Sequence, residues 1–175
     1  MIVFVPMFMA CSSPPPLPEG VVVSEASAPV PYTVEQLSAF NQVGRTYVFR
    51  VESAAAPAMR RTMRFDEVDG EGAWVVSTIG LWDQEEALAD STRSYQRWEE
   101  LQSHAAYPAG ETTRVWSNVE LPSGSVQCVL YTVSESEDRV TKACFNVDTA
   151  GPPVYTAQFD GATAVFSMTL QSNGM

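Results

Sequence analysis

Hydrophobic and polar residues alternate with a period of two over most of this chain, and the departures from that period mark its helices. In Arg45–Ser53, Tyr47, Phe49 and Val51 alternate with Val48, Arg50 and Glu52, the pattern of a β-strand with two unlike faces. Met59–Val68 and Gly72–Leu81 flank Asp69-Gly70, a two-residue hairpin signal. That turn sets Phe65 opposite Trp74 and Met63 opposite Val76, with the aromatic pair on the face taken as buried. Further strands are predicted at Thr112–Leu121, Ser125–Ser134, Arg139–Val147, Val154–Phe159 and Thr163–Gln171. Pro122-Ser123-Gly124 and Asp160-Gly161 read as turns, the second pairing Tyr155 with Phe166.

Two segments have helical spacing instead. Thr33-Val34-Glu35-Gln36 is a capping box, with Tyr32 and Leu37 placed as a hydrophobic staple, so a short helix follows and ends before Gly44. Ser94 is placed to cap a helix over Tyr95–Ala105, in which Tyr95, Trp98, Leu101 and Ala105 share one stripe, and Pro108 stops it. Asp83–Thr92 between them is acidic and polar, and reads as a loop.

The N-terminus has neither period. Met1–Ala10 carries no charge, is too short to span a bilayer, which takes roughly 20 apolar residues, and suits the apolar core of a signal peptide. Phe8-Met9-Ala10-Cys11 resembles a bacterial lipoprotein cleavage site, with Phe where Leu is commoner. The given sequence has no charged leader before the run, which points to a start further upstream or a trimmed signal. Acylation of Cys11 would anchor the chain firmly, because each buried CH₂ contributes about 0.8 kcal/mol and two or three acyl chains are added. Ser12 after Cys11, rather than Asp, favours the outer membrane. The competing reading is a secreted protein with an incidental Cys. The organisation expected is a signal remnant at 1–10, a Pro/Ser-rich tether at 11–31, one domain at 32–171 and a tail at 172–175.

Composition narrows the function. The net charge is −11, and 10 Lys and Arg face 21 Asp and Glu. Nucleic acid, which needs a basic face, is excluded as a partner. So is electrostatic attachment to anionic lipid, which leaves the acyl chains as the route to a membrane. Beyond Cys11, Cys128 and Cys144 remain, an even pair in an exported chain. If they face each other directly across the Ser125–Val147 hairpin, with 135–137 as its loop, a disulfide is feasible. Two buried unlinked thiols are the alternative.

In the C-terminal half a further pattern runs in order: Trp98-Glu99-Glu100-Leu101, His104, Tyr107-Pro108, Leu121-Pro122-Ser123-Gly124-Ser125, Cys128, Tyr131, Cys144-Phe145 and Gly151-Pro152-Pro153-Val154. It resembles a family of uncharacterised bacterial envelope lipoproteins, similar in architecture to the periplasmic lipoprotein carriers, over roughly residues 33–170. Cys144 stands where that pattern usually has an aromatic residue. The resemblance implies an α+β fold: a curved antiparallel β-sheet of seven to eight strands, a half-barrel, with the Tyr95–Ala105 helix packed on its concave face. It implies acyl-chain binding in the open barrel and supplies no catalytic residue.

Candidate chemistry is sparse. His104, the single histidine, allows no metal site built on a His pair; near a helix C-terminus it interacts with the dipole. Arg60, Arg61 and Arg64 form a basic cluster in which Arg61 takes the opposite strand face from the other two. It reads as a solvated surface or, alternatively, as guanidinium forks for an anionic headgroup. The acidic runs Asp83, Glu85, Glu86, Asp90 and Glu135, Glu137, Asp138 lack the loop spacing of a calcium site. The aromatic stripes close a core or line a ligand cavity, with Phe49, Phe65, Trp74, Trp98, Leu101, Tyr131 and Phe166 as lining candidates. The expectation is a non-enzymatic, lipid-anchored envelope protein with no cofactor. Its partners would be the membrane, through the acyl chains, and a lipid or lipidated protein; a surface interaction module without a cavity is the alternative.

Overall fold

The computed structural model describes residues 15–84 and 89–174. Met1–Ala10 and Cys11, with the signal and lipidation readings they carry, lie outside these residues, as do Glu85 and Glu86.

Among the described residues the chain forms helix α1 (Val34–Phe40), strands β1 (Thr46–Ser53), β2 (Ala56–Val68), β3 (Gly72–Leu81) and β4 (Asp90–Arg97), helix α2 (Trp98–Ser103), then β5 (Thr112–Leu121), β6 (Gly124–Ser134), β7 (Arg139–Asn146), β8 (Tyr155–Asp160) and β9 (Thr163–Gly174). All nine strands belong to one antiparallel sheet, ordered β4-β3-β2-β1-β9-β8-β7-β6-β5. The last strand pairs with the first at its centre, and β4 and β5 are open edges. One core cluster contains Phe65 and Val75 from one half of the sheet and Tyr131 and Phe145 from the other. The sheet therefore curls around a shared interior without closing. No helix here is long and apolar enough to cross a membrane.

The sheet has nine strands, against the seven or eight expected. The additional one is β4, which replaces the end of the expected acidic loop and the first turn of the expected helix. Asp90–Arg97 is polar at nearly every position because it is an edge strand exposed on both faces, so no apolar period announces it. It pairs with β3 from Ile79↔Asp90 to Gly72↔Arg97. Ser94 does not cap a helix: its Oγ accepts from Gln96 Nε2 at 3.1 Å. The helix starts only at Trp98, where Arg97 N donates to Glu100 Oε2 at 3.2 Å. α1 follows its sequence signal closely, with both capping-box hydrogen bonds present between Thr33 and Gln36.

Both hairpin registers differ from those the turn dipeptides suggest. The Asp69 carboxylate accepts from the N–H groups of Glu71 and Gly72, each at 2.8 Å, and the loop extends over 69–72, closing at Val68↔Ala73. A bulge follows between Phe65 and Glu67, and Phe65 faces Val75 while Trp74 faces Glu67. A change of one register flips a side chain to the other sheet face, so Trp74 leaves the core and packs against Tyr95, ring centroids 5.6 Å apart. In the β8–β9 hairpin, Gly161 (φ +57°) enters the turn after Asp160↔Thr163, and a second bulge places Phe166 opposite Gln158 and Tyr155 opposite Thr169.

The segment read as a tether is docked from Pro15 onward. Trp116 Nε1 donates to Pro15 O and Arg114 Nη2 to Pro18 O, both at 2.8 Å. Val21 and Val30 exchange backbone hydrogen bonds at 2.9 Å, Ala28 N donates to Tyr107 O, and the Tyr131 hydroxyl donates to Pro29 O at 2.6 Å. Val30 is fully buried. At Gly20 (φ +73°) a Cβ would stand 2.7 Å from Val30 O, so this arm can turn only on a glycine. At the other end, 172–174 continues β9 rather than forming a tail.

Cys128 and Cys144 are joined by a disulfide with Cα atoms 5.6 Å apart. The hairpin closes at Ser134↔Val140 around residues 135–139, so Cys128 faces Asn146 and Cys144 faces Leu130. The bridge thus links diagonal neighbours on one sheet face, where direct opposition was expected, and both cysteines are fully buried.

Candidate functional site

The inner sheet face is largely filled. Phe49, Trp98 and Tyr131 are fully buried. Trp98 stacks on Phe65 with centroids 6.2 Å apart and anchors α2 by donating Nε1 to Asp69 O at 3.1 Å. Tyr131 packs edge-on to Phe145 at 5.3 Å, and Phe145 edge-on to Tyr32 at 6.2 Å. These aromatics close the core from the arm to both halves of the sheet.

A cleft of about 190 Å³ lies between the helices, the arm and the sheet. β2 supplies Arg61, Met63 and Phe65 to it, α2 and the turn after it Leu101, Gln102 and His104, and the loop before β8 Gly151, Pro152 and Pro153. Tyr32, Tyr107 and Met168 complete the greater part of its wall. The volume is below the roughly 300 Å³ at which pockets for drug-sized ligands begin. It exceeds the roughly 150 Å³ of an apolar cavity that holds benzene.

The polar groups of the wall are mostly committed. Asn41, 1% exposed, donates through Nδ2 to Leu37 O at 2.8 Å and Ala150 O at 3.1 Å, and accepts from the Tyr47 hydroxyl at 2.6 Å. Gln102 Nε2 donates to Tyr32 O at 2.8 Å, and the Tyr32 hydroxyl donates to Asn146 O. Burial, aided by the neighbouring Tyr47 and Tyr131, pushes the Tyr32 hydroxyl far above the ordinary phenol range. Burial likewise pushes Tyr47 and Tyr107 up to about 12. The Tyr32 and Tyr47 phenols act as neutral hydrogen-bond donors rather than as acids or bases. Among the described residues no group of three His, Cys, Asp or Glu is placed to hold a metal.

Of the aromatic and aliphatic residues proposed from the sequence, Phe65 and Leu101 line the cleft. Phe49, Trp98 and Tyr131 sit in the closed core beside it. Trp74 is on the outer face, its ring under the Arg93 guanidinium at 4.2 Å, and half-buried Phe166 does not reach the cleft. The arginine cluster separates. Arg64 pairs with Asp66 at 3.2 Å, Arg60 lies 5.1 Å over Trp82, and Arg61 turns into the cleft. Sequence reasoning missed Met63, Tyr107, Pro152, Pro153 and Met168. Met63 alternates with Phe65 and so was legible in principle; the others depend on how the arm and the 147–154 loop fold back.

The fold and cleft together define a curled, open, antiparallel β-sheet protein with a small apolar recess under its helices. No protein-family model and no curated protein matches the chain. Among solved structures it is similar to a redesigned β-barrel, at 12% identity over 78% of this chain and 95% of that one, with a TM-score of 0.30.

Proposed function

We propose that this is a lipid-anchored protein of the bacterial cell envelope, without catalytic activity, whose domain receives an apolar group in the cleft beneath its helices. The observation that carries the reading is that cleft: about 190 Å³ of mostly apolar space in a core otherwise filled by aromatic rings. Its size sharpens the expectation drawn from the lipoprotein carriers. A recess little larger than a benzene site receives the end of an acyl chain or a projecting apolar group, not a whole lipid. The anchor reading rests on the Phe8–Cys11 pattern.

The same filled core favours a second reading, an interaction module at the membrane surface in which the cleft seats a side chain of a protein partner.

Native mass spectrometry of protein extracted from its own membranes tests the first reading. The expected result is an acylated Cys11 and a co-purifying apolar species that is lost from the Leu101→Trp variant, in which the indole fills the cleft. An unmodified Cys11 would overturn the anchor. A wild-type protein free of adducts and indistinguishable from Leu101→Trp would overturn the apolar ligand in favour of the interaction module.

A further inference from the structure

We infer that the cleft selects an anion carried on a short apolar chain, with Arg61 as the residue that receives the charge. This rests on the proposal that the cleft receives an apolar group and adds the chemistry of that group's polar end.

Arg61 pairs across the sheet with Phe49 and Ile79. Cross-strand partners share a face, so it stands on the inner face with the buried Phe49. It is half-buried and lines the cleft. The other described arginines on or next to β1 to β4 are engaged: Arg45 lies over Phe40, Arg50 and Arg60 over Trp82, Arg64 on Asp66, and Arg93 on Asp66 and Glu67, while Arg97 approaches Glu99 at 3.7 Å. Among the described residues Arg61 has no ion pair, side-chain hydrogen bond or aromatic partner. A half-buried guanidinium with five donors and no protein acceptor is set to receive an external one.

The charge around it points the same way. The chain carries 21 acidic residues against 10 basic ones, yet no Asp or Glu lines the cleft. Its basic lining residues are Arg61 and His104, and His104 is exposed at the rim. Asn41 and Gln102 already spend their amide donors on backbone carbonyls. An anionic head on Arg61 with an apolar tail against Leu101 and Met63 therefore meets complementary groups at both ends, and guanidinium is suited to a planar carboxylate.

The test compares octanoate with 1-octanol, equal in tail and different in charge, by calorimetry on the purified domain and on the Arg61→Met, Arg61→Lys and His104→Gln variants. Octanoate should bind about tenfold more tightly than 1-octanol. Arg61→Met should remove that preference, with an unchanged far-ultraviolet circular dichroism spectrum and unfolding midpoint reporting that the variant is folded. Arg61→Lys should keep part of the preference, and His104→Gln should reduce it less than Arg61→Met does. Equal affinity of the wild type for the two probes would overturn the anion selection and leave the apolar cleft standing. A preference that survives Arg61→Met would also overturn it. Binding of neither probe would overturn the cleft reading itself.

Discussion

The Tyr47 hydroxyl donates to Asn41 Oδ1 at 2.6 Å, tying the first residues of β1 to the C-terminal end of α1 inside the core. Asn41 passes the connection on to Ala150 O in the loop that borders the cleft. The phenol ring itself stacks near Phe49 and meets Phe65 edge-on, so replacing Tyr47 by Phe keeps the packing and removes only the donor. A buried acceptor left without its partner costs about 1–3 kcal/mol. Tyr47→Phe is expected to lower the unfolding free energy by that amount in urea titrations, with an unchanged denaturant slope. In a cycle with Asn41→Ala the two losses should be strongly non-additive; additive losses would show that the bond does not hold α1.

Alkaline stability follows from the same buried phenols. Tyr47 and Tyr107 are raised by burial from 10.0 to about 12, and Tyr32 is raised further in the same direction. A raised folded value means that the unfolded chain releases the proton first. The associated stability is fully present below pH 10 and is lost as the pH rises through about 12. Ultraviolet titration should show a fraction of the tyrosines ionising only in that range, together with loss of the far-ultraviolet β signal. Ionisation of every tyrosine near pH 10 in a folded protein would contradict it.

Joining residues 16 apart in sequence, the Cys128–Cys144 bridge should stabilise by roughly 3 kcal/mol in the chain-entropy description. The midpoint of guanidinium unfolding is expected to fall on reduction. The Cys128→Ala, Cys144→Ala double variant should show a similar loss that no longer responds to reductant. A midpoint unaffected by reductant in the wild type would mean that the bridge contributes no stability.

Gly151 is a packing requirement rather than a turn requirement. A Cβ there would stand 2.6 Å from Tyr47 Oη, and the hydroxyl is held by Asn41. Gly151→Ala should therefore destabilise the protein by about 1–3 kcal/mol, the usual range for overpacking, and most of that loss should disappear in a Tyr47→Phe background. An equal loss in both backgrounds would place the conflict elsewhere.

What was legible in the sequence was whatever had one apolar face and a clean boundary. β1, β3 and β5 fall where their alternation puts them, and α1 starts at its capping box. The registers were not legible, because each depends on a bulge at a particular residue and on how many residues the loop encloses. Trp74 was misplaced for that reason alone: the loop 69–72 encloses two residues more than a two-residue turn, which keeps the face, and the bulge between Phe65 and Glu67 then puts the indole on the face opposite Phe65. β4 was hidden by the polarity that suits it to an edge. Of the cleft, Phe65 and Leu101 could be picked out by period, and Arg61 was already separated from Arg60 and Arg64 by strand alternation. The wall formed by Tyr107 and the prolines is a product of chain path, which hydrophobic period does not encode.

The docked arm also changes the distance scale on which this protein would work. A free tether from residue 11 to residue 31 would extend to roughly 70 Å, at about 3.3–3.6 Å per residue. With Pro15 pinned to Trp116, the contour between Cys11 and the body is about 14 Å at most. A chain acylated at Cys11 would hold the β5 edge of its sheet within about 14 Å of the bilayer. So anchored, it would be a fixture on the membrane and not a float ranging away from it.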